Sequence, residues 1–199
     1  IFINTKKVQS RLESHSSSLS IKNLIVNQDQ EDVFNNIISQ WDNKPVTLLH
    51  GVTGSGKTEV YIKLIEKVLE KGEQVLFLLP EIALTSHLIS RLEKYFGSKI
   101  GIYHSRFSLC ERAEIWQKVC SPIKESRYDI IIGSRSSLFL PYEKLGLIIV
   151  DEEHDSSYKQ YDPAPRYNAR DTAIILANLH NAKTVLGSAT PSLESYFNA

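Results

Sequence analysis

The stretch His50-Gly51-Val52-Thr53-Gly54-Ser55-Gly56-Lys57-Thr58 matches the phosphate-binding loop pattern, glycine, four residues, Gly-Lys and a hydroxyl residue, without an exception. Val46-Thr47-Leu48-Leu49 ahead of it reads as a short buried strand, and residues 59–71 behind it carry Val60, Leu64, Ile65, Val68 and Leu69 at helical spacing. In this strand, loop and helix order, the glycines let the backbone curl. Successive N–H groups near Gly54, Ser55, Gly56 and Lys57 then converge on phosphate oxygens at the positive end of the helix dipole. Lys57 would reach the β- and γ-phosphates, and Thr58 has the hydroxyl that this motif places on Mg²⁺. A nucleotide such as ATP, with Mg²⁺, is the expected ligand.

Moving outward, the chain alternates short apolar runs with helical patterns. Val75-Leu76-Phe77-Leu78-Leu79, Ile100-Gly101-Ile102-Tyr103, residues 128–133, residues 145–150 and Thr184-Val185-Leu186 read as further strands. Helices are expected from about 84 to 96, from 109 to 119 and from 169 to 179, and another before the first strand with Asp29 as its cap. Such alternation predicts an α/β fold, a mostly parallel sheet flanked by helices on both faces. Ligands of such sheets lie at the carboxyl ends of the strands. The polar clusters fall there: residues 51–58, Pro80 to Thr85, His104-Ser105, Gly133-Ser134-Arg135, Asp151 to His154 and Ser188 to Thr190.

The 199 residues suffice for one well-buried core. Formal net charge is zero, so no global field drives the chain onto nucleic acid or an acidic membrane, and any such binding must rest on local patches. Two cysteines, Cys110 and Cys120, give neither a disulfide framework nor paired zinc spacing. A reducing, cytoplasmic setting is expected. No apolar run is long enough for a bilayer, and none resembles a leader. Residues 1–22 are polar and serine-rich and read as a linker or the tail of an upstream domain; residues 23–199 read as the lobe. A chain with Ile1 at its start and no Met reads as a piece of a longer protein.

Asp151-Glu152-Glu153-His154 leaves the most apolar strand, so carboxylates emerge together from a dry core. Asp151 is placed to hold Mg²⁺ through a water, and Glu152 to orient, or take a proton from, the water attacking the γ-phosphate. With Ser188-Ala189-Thr190, these strings resemble motifs I, II and III of superfamily 2 helicases, in order and with the separations of one RecA-like motor lobe. More narrowly, residues 51–61, Leu79-Pro80-Glu81-Ile82-Ala83-Leu84-Thr85, residues 133–139 and residues 151–160 resemble the primosomal replication-restart helicase family, PriA.

That resemblance implies an ATP-dependent DNA helicase or translocase, acting on single-stranded and forked DNA with primosome and replication-restart proteins as partners. It places Gln30 against adenine, where the alternative is a glutamine on a helix surface. Pro80, Thr85, Ser134 and Arg135 would grip the tracked strand's backbone, with Arg135 otherwise in a surface ion pair. Tyr158, Lys159, Arg166 and Tyr167 belong to a segment resembling the aromatic-rich loop that couples DNA binding to hydrolysis. Aromatic faces stack on unpaired bases irrespective of sequence, while Lys and Arg meet phosphates. Asp162-Pro163-Ala164-Pro165 stands where some relatives have a shorter stretch ending in an aromatic. Ser188 and Thr190 resemble the hydroxyls that link the nucleotide site to a second lobe, and His104 is a weaker candidate for DNA contact.

The resemblance also implies zinc in the full-length family member, although no zinc cluster occurs in this chain, and a monomer. The second lobe, with its arginine finger, is expected beyond Ala199. Such a finger is worth on the order of a thousandfold in rate, so the chain alone should bind nucleotide and turn it over feebly. Two other readings stay open: a nucleotide-gated platform for loading replication proteins, and a different superfamily 2 DNA translocase.

Overall fold

A computed structural model describes residues 26–81 and 86–199. The predicted linker at 1–22 and the candidate Thr85 lie outside the described residues. In chain order the elements are α1 (Gln28–Gln40), β1 (Val46–His50), α2 (Lys57–Glu70), β2 (Gln74–Leu78), α3 (Ser86–Phe96) and β3 (Ile100–Tyr103). There follow α4 (Leu109–Val119), β4 (Ile130–Gly133), β5 (Leu145–Val150), α5 (Ala169–Leu179), β6 (Lys183–Ser188) and α6 (Leu193–Asn198). Short 3₁₀ turns occupy Arg135–Phe139 and Ser156–Tyr158.

The strands form one sheet in the order β1-β6-β5-β2-β4-β3, and every pairing is parallel. The unbroken apolar runs of β2, β4 and β5 follow from that arrangement, because both faces of the sheet are covered. Alternate residues serve the two faces. Val75, Phe77, Ile130, Ile132, Leu147 and Ile149 meet Val60, Leu64, Ile65 and Leu92 of α2 and α3. Leu76, Leu78, Ile131, Ile148 and Val150 meet Ile115, Val119, Ala173 and Ala177 of α4 and α5. The small alanines of α5 let that helix approach the sheet closely.

Several boundaries, those of β1, β2, β4 and α2, differ from the sequence reading by one or two residues, and two further differences bear on the site. The cap of α1 is Asn27 rather than Asp29: the Asn27 side chain accepts from the Gln30 amide, and the Gln30 side chain accepts from the Asn27 amide, closing a capping box. Asp29 lies in the first turn, where its charge complements the helix dipole. β6 extends through Gly187 and Ser188, which pair with Leu49 and His50 of β1. The short helix α6, capped by Ser192, follows it.

Candidate nucleotide and nucleic-acid site

The loop between β1 and α2 is built as its sequence requires. Gly54 and Gly56 have φ of +80° and +87°, a region open to glycine and costly for residues with a Cβ. At Gly56 space adds a second constraint, since a Cβ there would lie 2.0 Å from Gln30 Nε2. The loop therefore curls close against α1, and α2 starts at Lys57 with no side chain capping its first turn. Lys57 Nζ donates to the Gly51 carbonyl at 2.7 Å, folded back within its own loop. These features fit a polyphosphate: a concave backbone, a helix N-terminus and a cation that reaches phosphate by exchanging one carbonyl for it.

Asp151 and Glu152 lie at the exit of β5, separated from β1 by β6. A cleft of about 240 Å³ nevertheless joins them to Gly54, Lys57 and Thr58, so the loop and the acidic pair face one space. Tyr61, fully buried on α2, donates its hydroxyl to Asp151 Oδ1 at 2.9 Å and fixes that carboxylate toward the cleft. Burial pushes the Asp151 carboxyl above its ordinary value, with the neighbouring Glu152 charge adding to it against the Tyr61 hydrogen bond and Lys57. A cation at Thr58 and Asp151 would relieve that burden. With Thr58 supplying an oxygen and Asp151 acting through a water, Mg²⁺ there would take its other ligands from phosphate and water, its usual habit.

Glu152 has φ +49°, a left-handed backbone conformation uncommon for a residue with a side chain. Its neighbours on both sides are anchored. The Glu153 side chain is wholly buried and accepts hydrogen bonds from the Ser192 amide at 2.7 Å, Ser195 Oγ at 2.9 Å and Arg170 Nη1 at 3.2 Å. Burial pushes this carboxyl up, but the hydrogen bonds from Ser192, Ser195 and Arg170 outweigh it and hold it below the ordinary range. His154 shares a hydrogen bond of 2.8 Å with Ser188 Oγ, faces Thr190 Oγ1 at 3.3 Å, and lies 3.8 Å from a Glu152 carboxylate oxygen. The Gly51 amide donates to the Ser188 carbonyl at 3.0 Å. Ser188 thus bonds both to the phosphate loop, through its carbonyl, and to His154 beside Glu152, while Thr190 reaches His154 and Ser188.

The remaining candidates divide. Gln30 sits beside the loop, its Oε1 accepting from the Asn27 amide and its Nε2 3.5 Å from the Gly56 carbonyl, so contact with a base would cost the capping bond. Val52 and Thr53 project into solvent on the loop. Arg135 donates to the Lys159 carbonyl at 2.6 Å and approaches Glu81 at 4.0 Å, which makes it partly a structural tie. Lys159 and Arg166 are exposed, while Tyr167 is half-buried edge-on to Phe139. His104 accepts from the Arg106 amide and lies on Phe107, near Glu81.

Three expectations are corrected by burial. Tyr158 is 1% exposed and hydrogen-bonded to the Asp151 and Leu78 carbonyls, so its ring does not stack on a base. Ser134 is 1% exposed with its hydroxyl beneath the surface, and Pro80 is buried at the end of β2; neither presents its side chain to a DNA backbone.

Sequence reasoning gave no role to Tyr61, Glu153, His154, Arg170, or to Arg91, which pairs with Glu59 at the mouth of the cleft. His154 stood inside the acidic motif and Arg170 inside the aromatic segment, but nothing in the linear order joined them to Ser188 or Glu153.

The family model described as DEAD/DEAH box helicase matches residues 27–198. Replication restart protein PriA of Chlamydia trachomatis is 48% identical over 176 residues, which are 87% of this chain and 23% of that protein. PriA of Bacillus subtilis is 51% identical over 158 residues, 79% of this chain and 19% of that protein. The chain thus spans about a fifth to a quarter of the length of these relatives. Among solved structures, Mycobacterium smegmatis helicase Lhr bound to ssDNA and AMP-PNP superposes with a TM-score of 0.60 at 20% identity, covering 84% of this chain and 23% of that one. The Sulfolobus solfataricus SWI2/SNF2 ATPase core in complex with dsDNA gives 0.54 at 18% identity, covering 87% and 34%. These likenesses establish a RecA-like helicase lobe as the fold, and the chain belongs to the DEAD/DEAH box helicase family.

Proposed function

We propose that this chain is the first motor lobe, residues 23–199, of an ATP-dependent DNA helicase that restarts stalled replication forks with primosome proteins as partners. The observation that carries the reading is the cleft where Lys57, Thr58, Asp151 and Glu152 meet, with Ser188 and Thr190 in contact through His154. Similarity to PriA over most of the chain supplies the replication-restart setting.

In this reading the amides of residues 54–57 bind the polyphosphate, and Lys57 Nζ moves from the Gly51 carbonyl to a phosphate oxygen. Thr58 and Asp151 hold Mg²⁺, which neutralises phosphate charge. Glu152 orients the attacking water and takes its proton, with His154 beside it steadying the carboxylate. Single-stranded DNA runs over the strand exits, where Arg135, Lys159 and Arg166 meet phosphates without reading base identity. The setting is the cytoplasm; no helix among the described residues is long and apolar enough to cross a membrane.

The test is Glu152→Gln in the full-length protein. Nucleotide binding should persist while DNA-dependent hydrolysis falls by about a hundredfold or more. Unchanged turnover would refute the assignment of Glu152, and a wild-type protein without DNA-dependent hydrolysis would refute the motor reading. Replication restart retained in cells carrying Glu152→Gln would favour a nucleotide-gated loading platform instead.

A further inference from the structure

We propose that Arg91 is a second nucleotide-binding cation, for which Glu59 and the polyphosphate of the nucleotide are competing acceptors. The inference rests on the nucleotide-site reading above and adds a residue that the phosphate-loop pattern does not contain.

Arg91 reaches the cleft from outside the loop. It belongs to α3, which follows β2, and in the sheet β2 is separated from β1 by β6 and β5. Leu92 beside it is fully buried in the core cluster that holds Val60, Leu64 and Ile65 of α2, so α3 is fixed against that helix. The Arg91 guanidinium is thereby brought to the first turn of α2. There it pairs with Glu59 and lines the same cleft as Lys57, Thr58, Asp151 and Glu152.

The charge of the cleft gives that pair a task. Its lining carries three carboxylates, Glu59, Asp151 and Glu152, against two cations, Lys57 and Arg91. A polyphosphate brings several negative charges of its own, and an unneutralised Glu59 at the mouth would repel it. Among the described residues Arg91 is the one guanidinium on that lining, and a planar fork of donors matches phosphate oxygens two at a time.

Two features make the exchange of acceptors easy. The ion pair is partly open to water, with 37% of the Arg91 side chain and 16% of the Glu59 side chain exposed, and pairs so placed are weakly held. Glu59 also lies in the first turn of α2, where the helix dipole stabilises a carboxylate that has given up its partner. Lys57 stands in the same relation to the Gly51 carbonyl. Both cations of the cleft thus have an acceptor of their own to exchange for phosphate.

The experiment titrates full-length wild type, Arg91→Ala, Arg91→Lys and Glu59→Gln with mant-ATP and Mg²⁺, then displaces it with inorganic tripolyphosphate or with adenosine. Arg91→Ala should weaken mant-ATP binding by about tenfold or more, as for loss of a hydrogen bond to a charged group. Arg91→Lys, which keeps the charge without the fork, should recover part of that. Glu59→Gln should tighten binding by about two- to fivefold, the strength of a partly exposed ion pair, because Arg91 loses its other acceptor. Displacement by tripolyphosphate should weaken in Arg91→Ala, and displacement by adenosine should not. Melting temperatures without nucleotide should fall alike in Arg91→Ala and Glu59→Gln, since both lose the same link between α2 and α3.

Unchanged mant-ATP affinity in Arg91→Ala overturns the proposal. So does a loss of affinity in both Arg91→Ala and Glu59→Gln, which marks a merely structural link between the helices. A loss seen with adenosine and not with tripolyphosphate overturns the assignment to phosphate. If Arg91→Ala does not fold, Arg91→Lys and Glu59→Gln decide, since opposite shifts in affinity sustain the proposal and shifts of one sign overturn it. Wild type that binds no mant-ATP, or binds it equally well as Lys57→Ala, overturns the nucleotide-site reading and the inference with it; binding lost in Lys57→Ala and kept in Arg91→Ala overturns the inference alone.

Discussion

Gly187→Ala should expose how tightly the carboxylate of Asp151 is packed. A Cβ at Gly187 would lie 1.6 Å from the Tyr61 hydroxyl, 2.9 Å from its ring and 3.0 Å from Asp151 Oδ1. Tyr61 is buried and packs edge-on against Phe77, so it has little room to retreat. Overpacking a dense core costs about 1–3 kcal/mol, and displacing the hydroxyl from a charged acceptor adds about 1.5 kcal/mol. Tyr61→Phe alone forfeits only that second amount, about 1.5 kcal/mol. In the double variant the clashing oxygen is gone, and the ring needs to move by only a few tenths of an ångström. The double variant should therefore be about 2 kcal/mol more stable than the sum of the single effects predicts, which in a chain of this size is about 4–8 °C in Tm. Urea unfolding of the three variants, followed by tryptophan fluorescence, measures the difference. Single effects that add within about 0.5 kcal/mol would refute the packing argument.

Three further outcomes are expected. Lys57→Ala should weaken mant-ATP binding in the presence of Mg²⁺ by at least about tenfold, since the only side-chain cation of the phosphate loop is removed; fluorescence titration reads it. Because the Glu153 carboxyl is held below its ordinary value, the folded chain binds fewer protons there than the unfolded one. Its contribution to stability is complete above the ordinary glutamate value and is lost as pH falls through the lower folded value, so Glu153→Gln should flatten the acid limb of urea midpoints taken from pH 7 to pH 3. Arg135→Ala should weaken single-stranded DNA binding for all sequences alike and lower the slope of log K against log salt by about one, measured by anisotropy.

The elements that the sequence made legible were those with a local cause. The runs of β2, β4 and β5 are apolar throughout because helices cover both faces, and the phosphate loop is a contiguous pattern whose glycines have one backbone purpose. Helices α4 and α5 matched their periodicity to the residue. What stayed hidden depends on contacts between distant segments. Tyr158 and Tyr161 look alike in the sequence, yet one is buried against Asp151 and the other is exposed, because Tyr158 falls at the edge of the α5 core and Tyr161 beyond it. Arg170 begins an ordinary helix, and only the turn into α6 brings Ser192 and Glu194 to it across β6. The cap of α1 was missed through a competing signal: both Asn27 and Asp29 favour a helix start, and the return bond from Gln30 selects Asn27.

Strand order also sets a schedule for folding. Among the described residues β1 is the first strand, and its single neighbour in the sheet is β6, the last. Its ladder closes only after the intervening segments have been made and stacked, the kind of long-range parallel pairing that slows folding. On a ribosome that synthesises from the amino terminus, the phosphate-loop segment emerges before β6 and waits for it. The strands from β2 to β5 can assemble among themselves in the meantime. Arrival of β6 then supplies the Ser188 carbonyl that accepts from the Gly51 amide, which seats the start of the loop against the finished sheet.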